Sequence, residues 1–93
     1  MEVYIIDYNK HIAQADEYKA TAEDYERDGE YLEAKNNYQL AAREYARAAE
    51  VAWGAGDKVK NNVAESYSDL CNRQALEMIY LQVDASRQNS AEC

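Results

Sequence analysis

The chain has 93 residues, which is enough for one hydrophobic core and too few for two domains. It contains no Pro, three Gly, no Phe and nine Tyr, a composition that favours long uninterrupted helices over a β-rich fold. The formal net charge of −8 at pH 7 disfavours binding to nucleic-acid phosphates or anionic lipid, because both require an electropositive surface. We therefore expect basic or neutral partners, although acidity is equally consistent with a surface that only keeps a helical domain in solution.

The sequence contains no apolar run of about 18 residues, the length that a membrane-spanning helix requires. Residues 1–7 lack the basic start and long apolar stretch of a signal peptide. These features predict a cytoplasmic protein without direct membrane insertion. Cys71 and Cys93 do not form the dense framework of a small secreted domain, so both are predicted to be free thiols.

The first helix is predicted over about residues 3–28. Aromatic and small residues spaced alternately four and three apart form one face: Tyr4, Tyr8, His11, Ala15, Tyr18, Ala22 and Tyr25. Gly29 can take the left-handed conformation that closes a helix, and it marks the end of this one.

The second helix is predicted over about residues 30–53. Its face again steps by three and four: Tyr31, Ala34, Tyr38, Ala41, Tyr45, Ala48 and Ala52. It ends at the Gly54-Ala55-Gly56 sequence. The short connection makes helices 1 and 2 antiparallel neighbours, with the Tyr of each filling the space left by the Ala of the other.

The third helix is predicted over about residues 57–83, with Asp57 as its N-cap. Its core candidates are Val59, Val63, Tyr67, Leu70 and Met78, and its broad apolar end contains Leu76, Ile79, Tyr80, Leu81 and Val83. Residues 84–93 are polar and aperiodic, which predicts a frayed tail or a linker. The predicted fold class is therefore all-α, an antiparallel three-helix bundle over residues 1–83 with up-down-up order and helix 2 in the middle.

The first two helices resemble a tetratricopeptide hairpin, because small and aromatic residues occupy its characteristic positions: Tyr18, Ala22, Tyr25, Gly29, Tyr31, Ala34, Tyr38 and Ala41. One such hairpin followed by a third helix resembles the MIT (microtubule-interacting and transport) domain. The residues that carry this resemblance lie between about residues 12 and 80: Ala15, Tyr18 and Ala22, then 30–34 with Tyr38, Ala41 and Tyr45, then Asp57, Lys58, Val63, Tyr67 and Arg73.

The resemblance implies a non-catalytic adaptor whose grooves receive short helical or extended tail motifs. MIT domains stand at the N-terminus of AAA ATPases and related proteins that act on ESCRT-III. The resemblance therefore implies an ESCRT-III-like tail as the partner. It also implies that an ATPase, if present, is encoded beyond Cys93.

Two rows of small residues suggest where a partner binds. The first row, beside the core face of helix 2, is Ala42, Ala46, Ala49 and Trp53; the second, on helix 3, is Ala64, Ser68, Cys71 and Ala75. Facing each other, the rows leave a shallow groove. In the MIT family a groove between helices 2 and 3 accepts an amphipathic helix, with Ala46 and Cys71 at lining positions. The alternative is that these residues only let helices 2 and 3 pack closely.

Charges at Glu65 and Asp69 suit a basic amphipathic helix as the partner, although the stripe that they form with Arg73 and Glu77 is also typical of a solvated helix face. The sequence shows no phosphate-binding loop, no Cys-x-x-Cys pair and no recognisable catalytic triad. His11, the one His, has no evident partners and is predicted to be structural. We expect no enzymatic activity, no cofactor and no metal.

Three other functions are open, and the first is a tetratricopeptide-type adaptor. A structural module could self-associate through the end of helix 3, since Leu76, Ile79, Tyr80 and Val83 cannot all face one core. An acidic mimic could occupy a basic protein surface, with strongly salt-dependent binding. The groove hypothesis predicts a monomeric isolated domain, which light scattering distinguishes from a stable dimer.

Overall fold

A computed structural model describes residues 3–91 of the chain, with side-chain environments over residues 3–87. Three helices account for most of this part: α1 spans Val3–Arg27, α2 spans Tyr31–Gly54 and α3 spans Lys58–Ala91, and no strand occurs among these residues. The predicted all-α three-helix bundle is confirmed.

Both connections are tight glycine turns. Gly29 and Gly56 have φ values of 78° and 76°, the left-handed region that an L side chain rarely adopts. At the first turn the Glu30 amide donates to the Tyr25 carbonyl at 2.9 Å; at the second the Asp57 amide donates to the Ala52 carbonyl at 2.9 Å. These 6→1 bonds satisfy carbonyls that the ends of α1 and α2 would otherwise leave unpaired.

Asp57 begins α3 as the sequence predicts. Its carboxylate accepts a hydrogen bond of 3.1 Å from the Lys60 amide, three residues into the helix, which is the geometry of an N-cap. That bond, more than any other contact, holds the pKa of Asp57 below its ordinary value.

The third helix is longer than the sequence predicts. It continues through Ala91, past the end expected near Val83, so residues 84–91 are helical where a frayed tail was expected. The segment contains neither Gly nor Pro, and nothing in it breaks a helix that is already nucleated. Met1, Glu2, Glu92 and Cys93 lie outside the described residues, and so does the predicted free thiol of Cys93.

The core consists of three layers along the bundle, and each layer holds one buried Tyr among small side chains. The first contains Tyr8 with Ala48, Ala49, Ala52 and Ala64; the second contains Tyr45 with Ala15, Ala41, Ala42 and Cys71; the third contains Tyr38 and Met78 with Ala22, Ala34 and Ala75. Alanine lets the helix backbones approach closely, and the Tyr rings fill the remaining space. The predicted faces of α1 and α2 are therefore the ones that pack.

The contacts between helices pair residues in opposite chain order, as antiparallel neighbours do. Tyr45 donates to the Asp16 carboxylate and Tyr38 donates to the Glu26 carboxylate at 2.7 Å, which joins α2 to α1. Ser68 donates to the Ala42 carbonyl at 2.9 Å, which joins α3 to α2. Helix α2 packs along both of the other helices, whereas α1 and α3 meet each other at few positions.

The predicted core face of α3 is wrong at four of its five positions. Val59, Val63, Tyr67 and Leu70 are exposed, with Val59 at 72%, and only Met78 is buried. The face toward α2 is instead formed by Asn61, Ala64, Ser68, Cys71, Ala75 and Met78. Helix α3 is rotated in this way because small side chains allow it to lie close to α2, where large aliphatic residues would hold it away.

Candidate functional site

An open cleft of about 760 Å³ lies on the surface between α2 and α3. Small and polar side chains, three acidic residues and a tryptophan line it: Ala46, Ala49, Glu50, Trp53, Asn61, Glu65, Ser68 and Asp69. We call this surface the α2–α3 cleft. A smaller hollow, lined in part by Ala42 and Arg43, shares Ala46 and Ser68 with it.

Most of the predicted groove residues border these two depressions. Ala46, Ala49, Trp53 and Ser68 line the α2–α3 cleft, as do the predicted charge contacts Glu65 and Asp69; Ala42 lines the smaller hollow. The structure brings these residues together between α2 and α3, where the sequence predicted the groove.

Five of the predicted groove residues lie in the core: Ala42 and Ala49 also border the two depressions, whereas the other three do not. Ala64, Cys71 and Ala75 are each exposed by 3% or less, and each belongs to a different core layer. The prediction of Cys71 as a lining residue beside the core is therefore corrected: its side chain packs with Ala15 and Tyr45. The two rows therefore serve close packing of α2 against α3, and Ala46 and Trp53 are their members that are not buried.

Hydrogen bonds from α3 to the α2 backbone fix the width of the cleft. The Asn61 amide group donates to the Ala49 carbonyl at 2.9 Å, and the buried Ser68 hydroxyl makes the equivalent bond to Ala42. Each bond gives a buried polar side chain a hydrogen-bond partner, and a buried polar group without a partner would lower the stability of the fold. The two helices are thus held in a fixed relation along the cleft.

Two lining residues were missed from the sequence. Asn61 stands one turn before Ala64 in the small-residue row, so the three-four spacing could have included it. Glu50 stands between Ala46 and Trp53 at spacings of four and three, and the same rule could have found it. Both were passed over because polar side chains do not enter a pattern built on apolar periodicity.

The electrostatic character of the cleft is acidic. Glu50, Glu65 and Asp69 line it, and the lining residues within the described part of the chain include no Lys or Arg. Trp53 adds an indole ring with 67% of its surface exposed. Carboxylates and an accessible aromatic face both attract cationic groups, so the cleft is suited to a basic ligand.

The remaining candidate residues have structural surroundings. The Nδ1 atom of His11 is 2.8 Å from one carboxylate oxygen of Glu44. The other carboxylate oxygen of Glu44 accepts a hydrogen bond from Arg47 at 2.9 Å. Burial raises the pKa of the Cys71 thiol, which lowers the thiolate fraction at neutral pH. His11 joins α1 to α2, and Cys71 fills the middle core layer.

Comparisons of the chain with protein families, with curated proteins and with solved structures find no match. Within residues 3–91, no helix combines the length and apolarity needed to cross a membrane. The class that the fold and the cleft define is therefore a three-helix bundle with an acidic surface cleft between its second and third helices.

Proposed function

We propose that this chain is a non-catalytic protein-interaction module whose α2–α3 cleft binds a basic amphipathic helix. The observation that carries the proposal is the combination of small side chains with an acidic border in one open cleft. Small side chains leave room for a partner's apolar anchors, and the acidic border selects a cationic partner. The MIT-like arrangement of Ala and Tyr supports the same function and an ESCRT-III-like tail as the partner, with a cytoplasmic location.

The length of the cleft limits the partner's contact to about two helical turns. Ala46 and Trp53 are seven residues apart on α2, which corresponds to about 10 Å at the rise of an α-helix. A helix laid along this distance presents apolar side chains at i, i+3 or i+4, and i+7. Those three anchors are the recognition element that we expect.

The charges of the cleft specify what flanks these anchors. Lys or Arg beside the anchors would meet Glu65 and Asp69 on α3 and Glu50 on α2, and one cation could lie over the Trp53 ring. Such exposed pairs contribute modestly and are screened by salt. A short helix also loses conformational entropy when it binds, so we expect a dissociation constant on the order of micromolar or weaker.

Calorimetric titration with a basic, leucine-rich helical peptide tests the function. Ala46→Asp places a charge in the cleft at a half-buried position, so it should abolish the apolar contact while circular dichroism shows an intact bundle. Ala20→Asp makes the same chemical change at an exposed position of α1, and it should bind as the wild type does. Equal binding by the wild type and Ala46→Asp contradicts the proposal.

The single tryptophan gives an independent measurement. Trp53 lies in the cleft and is largely exposed, so a bound helix should cover it and shift its fluorescence emission to shorter wavelength. Binding without any change of emission would place the peptide elsewhere on the molecule.

A further inference from the structure

The second half of α3 has a second, separate apolar surface. Four large side chains within two turns are exposed, Leu76 at 50%, Ile79 at 41%, Tyr80 at 64% and Val83 at 45%. At 3.6 residues per turn they fall within an arc of about 100° on the helix. We call this surface the α3 patch.

The α3 patch lies where the helical hairpin of α1 and α2 ends. Met78 and Leu81, on the opposite side of α3, pack in or against the third core layer beside the turn at Gly29, and α3 then continues to Ala91. The last part of the patch therefore lies on a helix that extends past the hairpin, where a second straight helix can approach it.

The charges around the α3 patch differ from those of the rest of the chain. Residues 73–87 contain two basic side chains, Arg73 and Arg87, and two acidic ones, Glu77 and Asp84, so their charges sum to zero. The whole chain carries −8, which would make most of its surface repel a second copy. This segment is a surface on which two copies can meet without that repulsion.

One antiparallel register matches both the apolar and the charged residues. When Ile79 of one copy lies opposite Tyr80 of the second copy, Leu76 of the first lies opposite Val83 of the second. The two-fold axis then generates the same two pairs with the copies exchanged. On the flank of each half, Asp69, Arg73 and Glu77 of one copy then lie beside Asp84 and Arg87 of the other, and the two Arg side chains meet acidic partners within about one helical turn. We infer that the α3 patch is a self-association surface that pairs two copies of this chain through antiparallel α3 helices.

The pairing is expected to be weak. Four partly exposed side chains from each copy form a contact smaller than that of standard stable complexes. We expect a dissociation constant on the order of 100 µM, with a monomer at low concentration. The register shares Asp69 with the α2–α3 cleft, and its apolar contacts are separate from the peptide proposed for that cleft.

Sedimentation velocity over a concentration series, from micromolar to about 1 mM, tests the inference. Wild-type protein should show a reversible monomer–dimer equilibrium. Ile79→Asp, or Tyr80→Asp if the first variant unfolds, should weaken association by at least about tenfold, because a carboxylate would be buried in the contact. Val59→Asp changes an exposed valine on another face of α3 and should leave association unchanged. A wild type that stays monomeric throughout, or an Ile79→Asp variant that associates equally well, overturns the inference.

Charge variants test the register itself. Arg73→Glu should weaken association severalfold, because each flank would hold four acidic side chains and one basic side chain, and adding Asp84→Arg should restore it. A double variant that associates no better than Arg73→Glu overturns the antiparallel register. Ala46→Asp should dimerise normally and Ile79→Asp should bind the basic peptide normally, so failure of this inference is distinguishable from failure of the cleft function.

Discussion

Cys71 and Ala46 show how two small residues between the same helices acquire different roles. Cys71 is 1% exposed and packs in the middle core layer, while Ala46 lies half-buried in the α2–α3 cleft. A charge at Cys71 would be removed from water, and the charge of nearby Lys19 is opposed there by Glu23 and Asp16, whereas a charge at Ala46 keeps contact with solvent. A charge at Cys71 should therefore lower the stability of the bundle, whereas a charge at Ala46 should mainly weaken peptide binding.

Cys71→Asp is expected to destabilise the bundle by on the order of 3 kcal/mol, because an unpaired carboxylate would replace a buried thiol. Urea unfolding followed by circular dichroism measures the change. Ala46→Asp, measured in parallel, should cost about 0.7 kcal/mol, the difference in helix propensity between Ala and Asp. A Cys71→Asp variant as stable as the wild type would show that this side chain is not enclosed.

The sequence predicted the packing faces of α1 and α2 correctly, because Tyr and Ala recur there without interruption and the second small-residue row of α2 lies directly beside its Tyr face. On α3 two rows compete. The apolar one skips from Leu70 to Met78, whereas the row from Asn61 to Met78 steps by three and four throughout but contains polar residues. Hydrogen bonds from Asn61 and Ser68 to α2 carbonyls make that second row suitable for the interior. Such partners cannot be read from one sequence, so the cleft was located but three of its predicted residues were misassigned.

At the level of the helices, glycine determines where α1 and α2 end. Gly29 and Gly54 lie near the ends of neighbouring helices, but only Gly29 has a positive φ. An added Cβ at either position would contact nothing within 4 Å, so their difference is one of backbone conformation alone. The two residues therefore form a matched pair for mutation.

Gly29→Ala should destabilise the protein by about 1 kcal/mol, because alanine is strained in the left-handed region. Gly54→Ala should stabilise it by about 0.5–1 kcal/mol, because alanine restricts the unfolded chain and favours the helix. Thermal unfolding of both variants beside the wild type gives the two signs. Equal effects of both variants would contradict the assigned turn.

At the scale of the whole molecule, two buried tyrosines tie α1 to α2. Burial, and then a hydrogen bond to a carboxylate, raises the pKa of Tyr38 beside Glu26 and the pKa of Tyr45 beside Asp16. The fold thus favours the neutral phenol at both positions. The stability that this preference contributes is fully present below the ordinary pKa of 10.0 and is lost as the pH rises from there toward the higher folded pKa.

The free energy of unfolding should therefore fall as the pH is raised above about 10, and the fall should be shallower when Tyr38→Phe and Tyr45→Phe are combined. Urea titrations between about pH 8 and 11 measure this slope. Tyr80→Phe is the control. The Tyr80 ring is largely exposed, so the loss of its hydroxyl group should leave the slope unchanged. An identical slope in the double variant would mean that other groups cause the alkaline loss.

The layered arrangement, with α2 between two helices that scarcely meet, has a hydrodynamic consequence. The molecule measures 63 × 17 × 12 Å and has a radius of gyration of 16.0 Å, whereas a spherical domain of this length would have about 12 Å. Such an elongated particle diffuses slowly for its mass and leaves a sizing column early. On a column calibrated with spherical standards, the monomer would be mistaken for a larger species. Any assignment of a monomer or a dimer therefore has to rest on a direct measurement of mass.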